Sequence, residues 1–367
     1  GAPLEAPADP NLSVLPRPEW YFRCLFELRR YFTGDWEFVA THVLPLAALL
    51  FFLAVPLFDR FFSRRGSLAL RCLAVATAVG GWGWLTWTSY DRDWRDPEYL
   101  VAQEQADELA GRASLLAEQA GIPPEGASAL LRDDAHTQGP LLFERHCASC
   151  HSHADAHGDG IVADEPSAPN LYGFGSLEWT SGLLDAEAVD GPQYFGHTAF
   201  AGGDMASSVQ ELYADAEKEE LAELKVDVRS IALALAAEAG LPAARETLAA
   251  EADAIARGKE LMAGDFGCTG CHKFYDEGEL GSAPDLSGYA SREWLESMIR
   301  DPAHQRFYAD RNDRMPSFAK RDVPADRQLL SPRELRLLVD WLRGEWQVPA
   351  SAAPPAKQEA AIAHAAN

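Results

Sequence analysis

Two stretches of the chain are apolar enough to cross a lipid bilayer. Residues 38–57 (FVATHVLPLAALLFFLAVPL) and residues 72–90 (CLAVATAVGGWGWLTWTSY) contain no Asp, Glu, Lys or Arg. Each approaches the length of about 20 residues that a transmembrane helix needs. The segment that joins them carries Arg60, Arg64, Arg65 and Arg71, and loops rich in Arg stay in the cytoplasm. We therefore predict two transmembrane helices within residues 38–95, with both far ends on the outer face of the membrane.

The chain on either side of these spans has helical periodicity. Between residues 23 and 32, apolar side chains are interleaved with charged ones, which predicts a short amphipathic helix on the outer membrane surface. Pro18 and Glu19 suit the start of that helix. After the spans, residues 96–134 are rich in Ala, Glu and Leu at helical spacing, with a break at Gly121 and the Pro-Pro pair that follows. That composition predicts a helical connector.

Charge is distributed unevenly along the chain. The formal net charge is −24, from 32 Lys and Arg against 56 Asp and Glu. Residues 1–95 hold ten basic and nine acidic side chains, a net of +1, which leaves −25 for residues 96–367. A nearly neutral, aromatic-rich N-terminal part followed by an acidic remainder is typical of a membrane anchor that carries a water-exposed domain. The acidity argues against nucleic acid as a partner and favours basic protein surfaces.

Four of the six cysteines lie in two copies of the motif C-x-x-C-H. The copies are Cys147, Cys150 and His151, and, 121 residues later, Cys268, Cys271 and His272. In this motif both thiols can form thioethers to the vinyl groups of a haem, and the histidine is the proximal iron ligand. Two copies within a matching repeat predict two covalently bound haem c groups. Covalent attachment of haem also indicates that this part of the chain lies outside the cytoplasm.

The motifs belong to an internal repeat that resembles tandem class I cytochrome c domains. Residues 168–179 (APNLYGFGSLEW) match residues 283–294 (APDLSGYASREW) at an offset of 115, and Gln193 corresponds to Gln305. Each copy has a helix into the haem motif, a Pro-Leu loop, a helix near the Ser-x-Glu-Trp, a sixth-ligand loop and a closing helix. We expect the closing helices at 219–239 and 332–344.

These patterns predict a mainly α protein with five ordered parts. They are an N-terminal segment with an interfacial helix (1–37), two transmembrane helices (38–95), a helical connector (96–134), cytochrome c domain 1 (135–243) and cytochrome c domain 2 (244–347). Residues 348–367 are rich in Ala and Pro and are expected to be a disordered tail.

The sixth iron ligands are sought among the four methionines. Met315 lies in Arg-Met-Pro-Ser-Phe, the form that the methionine loop takes in cytochromes c, and is assigned to the second haem. Alignment of the repeats makes Met205 the ligand of the first haem, with His197 as the alternative. Met262 and Met298 are expected to pack in the core. Ligation by His and Met raises the potential relative to two His ligands, and with both axial positions filled it favours electron transfer over peroxidase or oxygen chemistry.

Two prolines and three further histidines lie close to the haem motifs in the sequence. The resemblance to cytochrome c implies that the carbonyls of Pro169 and Pro284 hold the proximal imidazoles. His146, His153 and His157 crowd the first motif, and we expect a solvated loop there in preference to a metal site.

Residues 14–90 resemble the C-terminal part of cytochrome b in bc-type complexes, or subunit IV of b6f-type complexes. The resemblance rests on the sequence Pro18, Glu19, Trp20 and Tyr21 before a predicted span. It implies that residues 1–37 hold the loop of a quinol-oxidising site and that Glu19 accepts a proton from quinol. The alternative is a simple helix cap. The family has a further membrane helix before this loop, so we expect another chain or a further segment to supply it.

Together the resemblances imply a dihaem cytochrome c subunit of a bacterial menaquinol or quinol:cytochrome c reductase, which is not catalytic alone. The implied partners are a cytochrome b chain carrying b haems, a Rieske-type iron–sulfur protein, an outer cytochrome or oxidase as acceptor, and membrane lipid, in a dimeric complex. The chain would lie in the cytoplasmic membrane with its haem domains on the periplasmic side. The main alternative is a dihaem electron-transfer subunit of an oxidase or dehydrogenase without a quinol site. A dihaem peroxidase is a weaker alternative.

Overall fold

The structure, a computed structural model, describes residues 17–58, 61, 63–214, 217, 220–281 and 283–346. The contacts divide the chain into two units, Gly1–Leu130 and Leu131–Asn367, and each is described by itself. The predicted tail and the first sixteen residues of the N-terminal segment lie outside the described residues. The protein is mainly helical, as the sequence predicts.

The first unit consists of helices. In chain order they are α1 (Arg23–Arg30), a helical stretch that starts at Gly34 and leads into α2 (Leu44–Phe58), α3 (Arg64–Arg95), α4 (Pro97–Ala120) and α5 (Ala127–Arg132), whose residues span the division between the two units. Asp96 separates α3 from α4: its side chain accepts hydrogen bonds from the backbone N–H groups of Glu98 and Tyr99. Helices α4 and α5, with a break at Gly121, lie where the sequence predicts the helical connector.

Within the described part of the chain, two helices are long and apolar enough to cross a membrane: Gly34–Leu57 and Arg64–Arg95. Almost none of their apolar surface is buried inside the chain, which distinguishes them from the core helices of a water-soluble domain. The first contains a wide helical turn over Val39–Val43, just before Pro45. Because proline has no backbone N–H to donate, a local widening of the helix at this point is expected.

The amphipathic helix α1 starts later than the sequence indicates. It begins at Arg23, and Pro18 and Glu19 lie before it in a non-helical segment closed by a hydrogen bond from the N–H of Phe22 to the carbonyl of Glu19 (2.8 Å). The expectation that Pro18 and Glu19 form the first turn of this helix is therefore wrong. The position of α1 is set by its packing on α3, a contact between distant residues that local propensity does not report.

The second unit contains the repeat. Its helices are α6 (Ala135–His146), α7 (Leu177–Leu183), α8 (Asp204–Ala214), α9 (Leu221–Ala239), α10 (Arg245–Ala249), α11 (Ala252–Ala263), α12 (Arg292–Arg300) and α13 (Pro332–Leu342). Two short antiparallel strands, β1 (His153–Ala154) and β2 (Gly160–Ile161), follow the first haem motif. The helices expected at 219–239 and 332–344 are observed as α9 and α13.

The opening and closing helices of the repeats pair crosswise. Helix α6, which leads into the first C-x-x-C-H, packs on α13 of the second repeat, whereas α11, which precedes the second motif, packs on α9 of the first repeat. Both crossings are close: a Cβ at Gly139 would overlap the side chain of Trp341, and a Cβ at Gly258 would overlap the backbone of Ser230. The contacts therefore run across the boundary expected between residues 243 and 244.

The two repeats also meet along a buried seam. Gly175 has a φ of +80° and lies against Ala290. A Cβ added to Gly175 would be 2.6 Å from the Cβ of Ala290. Arg343, at the end of α13, donates hydrogen bonds to the carbonyls of Ala239 (2.8 Å) and Ala290 (2.5 Å). Burial lowers the pKa of Arg343, but these carbonyls and Glu345 stabilise its charge. One hydrophobic core includes residues from both repeats.

Backbone hydrogen bonds shift the predicted alignment of the repeats by one residue. The N–H of Asn170 donates to the carbonyl of Gln193 (3.0 Å), and the equivalent N–H of Asp285 donates to the carbonyl of Arg306 (2.8 Å). Gln193 therefore corresponds to Arg306, and the pairing with Gln305 is wrong. Each repeat has a Gln two residues before a Phe (Gln193-Tyr-Phe and Gln305-Arg-Phe), and this similarity favours the wrong alignment.

The crosswise pairing predicts an energetic coupling between Gly139 and Trp341. We expect Gly139→Ala to lower the free energy of unfolding of the haem-loaded chain by about 1–3 kcal/mol, because the added methyl group has no space. Trp341→Ala should relieve the overlap, so the double variant should depart from additivity by roughly 0.5–3 kcal/mol. Chemical unfolding of the four forms measures this coupling.

The control is the same cycle with Ala237→Gly, a substitution near the end of α9. Gly139→Ala and Ala237→Gly should be additive, since α9 packs chiefly on α11 and α7. The crosswise pairing would be contradicted if the unfolding free energies were additive for Gly139→Ala with Trp341→Ala and non-additive for Gly139→Ala with Ala237→Gly.

Candidate functional site

The first C-x-x-C-H motif follows directly from helix α6. Asp134, which is buried, caps the helix by accepting hydrogen bonds from the N–H and hydroxyl of Thr137. At the other end, the N–H of Cys147 donates to the carbonyl of Phe143 (2.7 Å), and the N–H of His151 donates to the carbonyl of Cys147 (2.9 Å). The motif therefore continues the helix as a tight turn. Burial raises the pKa of the Cys147 thiol to about 12.

The ring of His151 is oriented by a backbone carbonyl. Its Nδ1 lies 2.8 Å from the carbonyl oxygen of Pro169. A carbonyl can only accept, so Nδ1 carries the proton and Nε2 keeps its lone pair. Burial lowers the pKa of His151, which favours this neutral form. The arrangement leaves one ring nitrogen available to a metal ion, and it fits the role expected of Pro169.

The second motif repeats this geometry. A short 3₁₀ turn, Cys268–Gly270, carries the first thiol, and the N–H of His272 donates to the carbonyl of Cys268 (2.9 Å). The Nδ1 of His272 lies 2.7 Å from the carbonyl oxygen of Pro284, and burial lowers the pKa of this histidine as well. In both motifs Nδ1 is bonded to a carbonyl, and burial favours the neutral ring, whose Nε2 keeps its lone pair.

A tryptophan supports the loop next to each histidine. The indole Nε1–H of Trp179 donates to the carbonyl of Asn170 (3.1 Å), and that of Trp294 donates to the carbonyl of Asp285 (2.6 Å). These carbonyls directly follow the two prolines that hold the imidazoles. Both tryptophans are buried, and Phe174 lies between them, with ring centroids 4.7 Å from Trp179 and 6.2 Å from Trp294.

The candidate sixth ligands differ in their surroundings. Met315 is half-buried against the main core, and its carbonyl accepts a hydrogen bond from Asn312 (2.9 Å). Met205, also half-buried, lies at the start of α8 and packs in a smaller cluster with Val189 and Val209. His197 is exposed. Burial favours the two methionines over His197, and their assignment to particular haems remains a prediction.

The remaining two methionines lie in the hydrophobic core, as expected of packing residues. Met262 in α11 and Met298 in α12 are buried in the main core, with exposed fractions of 1% and 7%.

The loop after the first motif is less solvated than the sequence indicates. His153 lies between the rings of Phe143, Tyr172 and Trp341, at centroid distances of 5.7, 5.4 and 4.2 Å, and burial lowers its pKa. His146 contacts Phe318. Only His157 of these three histidines is exposed, so the expected solvated loop is wrong for the other two. The described residues contain no group of three or more His, Cys, Asp or Glu side chains arranged to hold a metal ion.

The donors in each motif fit a covalently attached haem. Two half-buried or exposed thiols without a disulfide lie within one turn of a histidine whose Nε2 is free. A thioether sulfur of methionine and an imidazole nitrogen are the axial pair that cytochromes c use. These observations support residues 147–151 and 268–272 as attachment sites.

The second candidate site lies at the N-terminal end of the described chain. Glu19, Trp20 and Tyr21 are exposed, and the ring of Trp20 contacts Trp82 of α3 at a centroid distance of 6.1 Å. Pro18 is half-buried. Three of the four residues predicted to form a quinol site are therefore exposed.

Sequence reasoning missed the ion pairs that hold this segment. Asp93, near the end of α3, pairs with Arg17 (2.9 Å) and with Arg23 (2.6 Å). One turn further along α1, Glu27, which is 3% exposed, pairs with Arg92 (2.5 Å). The signal available in the sequence was a pair of mixed charge clusters, with three Asp and two Arg at residues 91–96 and four Arg and two Glu at residues 17–30. No local pattern specifies which of these charges meet.

Comparison with known proteins adds one similarity. The chain is similar to the menaquinol:cytochrome c reductase cytochrome c subunit of Bacillus subtilis (strain 168), with 30% identity over 159 residues. The alignment covers 41% of this chain and 51% of the relative, so the chain spans about half the length of the curated relative that it matches. No protein-family model matches the chain, and no solved structure does.

Proposed function

We propose that this chain is the membrane-anchored dihaem cytochrome c subunit of a bc-type quinol:cytochrome c reductase. The observation that carries the proposal is the presence, in one chain, of two C-x-x-C-H motifs with oriented histidines and a Pro-Glu-Trp-Tyr segment beside a candidate membrane helix. The similarity to a menaquinol:cytochrome c reductase subunit supports it. The subunit contributes to catalysis only within the complex.

The chain's own residues hold two haem c groups. Cys147 and Cys150 attach the first and His151 binds its iron; Cys268, Cys271 and His272 do the same for the second. When bound, a haem would supply one-electron transfer. Met205 and Met315 would provide the sixth ligands, and the carbonyls of Pro169 and Pro284 hold the proton of each ring on Nδ1 and fix the ring in place.

The quinol-oxidising site is shared with a cytochrome b chain. Glu19 accepts a proton from the bound quinol, and Pro18, Trp20 and Tyr21 shape the wall around it. Their exposure in the isolated chain supports this, because a pocket between two chains presents its lining to the partner. A carboxylate that takes up a proton here can release it to the outer aqueous phase.

The membrane unit determines which side of the bilayer these parts occupy. Arg64, Arg65 and Arg71 keep the start of α3 in the cytoplasm, so residues 17–22 and the haem domains lie on the periplasmic side. A Rieske-type iron–sulfur protein supplies the electrons there, and an outer cytochrome or oxidase receives them. The acidic charge of residues 96–367 suits an acceptor with a basic surface.

A membrane-anchored dihaem carrier without a quinol site is the second candidate. The observation in its favour is that Glu19 and Tyr21 form no hydrogen bond or ion pair that fixes their side chains within the described chain, as expected of a surface segment with no catalytic role. This carrier would share the haem chemistry and lack the proton transfer.

We expect each haem motif to attach one haem. Cys147→Ala with Cys150→Ala, and separately Cys268→Ala with Cys271→Ala, should each lower the covalent haem content of the purified chain from two to one, because thioether formation needs the thiols. Intact-mass measurement with the pyridine haemochrome spectrum counts the haems. Cys24→Ser with Cys72→Ser is the matched control and should leave two. Two haems in either motif variant would contradict the assignment.

The sixth ligands can be identified from reduction potentials. Met315→His and Met205→His should each lower the potential of one haem, because a second histidine replaces the thioether. Met262→Leu, a buried packing substitution, should leave both potentials unchanged. If His197→Ala shifts the first haem's potential and Met205→His does not, His197 is the ligand.

Glu19→Gln tests the quinol site. General acid–base groups contribute roughly 10²–10⁴-fold to a rate, so we expect a loss of quinol:cytochrome c turnover of that order in the purified complex, with both c haem spectra intact. Glu37→Gln, which alters an exposed carboxylate on the same unit, is the control. Unchanged turnover in Glu19→Gln would favour the carrier without a quinol site.

A further inference from the structure

A single carboxylate is bonded to both ends of the Pro-Glu-Trp-Tyr segment. Arg17 precedes residues 18–22 and Arg23 follows them. The Nε of Arg17 lies 2.9 Å from Oδ1 of Asp93, and the Nη1 of Arg23 lies 2.6 Å from Oδ2 of the same side chain. Each oxygen of Asp93 therefore fixes one end of the segment to the end of α3.

The surroundings of Asp93 make these bonds rigid. The exposed fractions of Asp93 and Arg23 are 6% and 7%, so water screens their attraction little. The guanidinium of Arg23 also lies over the ring of Tyr90, 4.0 Å from its centroid, and that of Arg17 lies over Tyr99 at 4.4 Å. Arg17 is further 3.7 Å from Asp96.

Between these anchors the segment turns outward. The N–H of Phe22 donates to the carbonyl of Glu19 (2.8 Å), so the backbone forms a turn. The exposed fractions of Trp20, Tyr21 and Phe22 are 56%, 48% and 49%, in contrast to the buried residues that hold the ends. The pair between Glu27 and Arg92 fixes α1 to α3 beyond the segment and leaves the segment itself untouched.

We propose that Asp93 is a positioning residue for the quinol site, which holds residues 18–22 in a fixed turn so that Glu19 and Tyr21 face the partner chain. The inference rests on the proposed function. Asp93 acts through Arg17 and Arg23 and makes no contact with the reacting atoms. A neutral side chain at position 93 would leave Arg23 buried without its counter-charge, which is strongly destabilising for such a pair.

The test compares Asp93→Asn with Asp91→Asn in the intact complex. Asp91 lies on the same helix, two residues earlier. Within the described part of the chain its carboxylate pairs with Arg95 and not with residues 17–23. We expect Asp93→Asn to speed hydrogen–deuterium exchange of the backbone over residues 18–31. The same variant should lower kcat/KM for quinol by roughly 10- to 100-fold, because a displacement of about 1 Å is enough for such losses. Asp91→Asn should change neither quantity.

Arg17→Gln provides a second variant in case Asp93→Asn disrupts assembly. It breaks only the less buried of the two anchors and leaves the Arg23–Asp93 pair intact. We expect faster exchange confined to residues 18–22 and a severalfold rise in KM, with partial rescue by Arg17→Lys, which restores the charge.

The outcomes separate this inference from the proposed function. Unchanged hydrogen–deuterium exchange in both Asp93→Asn and Arg17→Gln overturns the inference. The inference also fails if Asp93→Asn speeds exchange but leaves kcat/KM unchanged, while Glu19→Gln lowers quinol turnover. If Glu19→Gln retains full turnover, the quinol site itself is wrong, and the positioning role fails with it even if exchange is faster. Visible spectra of the c haems should be the same in all variants, which shows that the second unit is intact.

Discussion

A hydrogen bond from an imidazole N–H to a proline carbonyl occurs once in each repeat, and it determines what the two motifs can bind. Because the carbonyl of Pro169 or Pro284 can only accept, the proton of each ring is held on Nδ1. The other nitrogen is left with a lone pair in a site where burial disfavours protonation. An indole N–H, from Trp179 or Trp294, donates a hydrogen bond to the carbonyl of the residue after each proline and so fixes the loop. Two successive hydrogen bonds, from imidazole to carbonyl and from indole to the next carbonyl, thus orient a ring nitrogen whose lone pair suits a metal ion.

The crosswise packing of helices makes the two repeats mutually dependent. Helix α6 packs on α13 and helix α11 packs on α9, so each repeat supplies a partner helix to the other. The seam at Gly175 and Ala290 admits no larger side chain, and Arg343 joins the repeats through two carbonyls. Such an arrangement stabilises both motifs together, so that damage to one repeat is transmitted to the other through shared core contacts.

The sequence predicts the local elements well and fails where distant residues choose partners. The two candidate spans follow from apolar length without charge, the closing helices from the order that the resemblance implies, and the connector from periodicity, which reports a buried face. The same periodicity cannot say whether Trp341 meets Gly139 or a residue of α11, because either partner would bury the face. The first turn of α1 was misplaced for a related reason: Arg23 is drawn to Asp93, 70 residues away. His153 looked solvated because its aromatic neighbours come from three separate segments.

Crosswise packing also orders events during synthesis. The first cysteine pair emerges early, but the helix that covers α6 spans Pro332–Leu342 and is among the last parts of the described chain to be made. Until then α6 lacks the helix that it packs on in the finished chain. Helix α11 meets a different situation, since α9 precedes it and has already been made when α11 appears. Translation order therefore leaves α6, the helix before the first C-x-x-C-H motif, without its packing partner for longer than α11, the helix before the second.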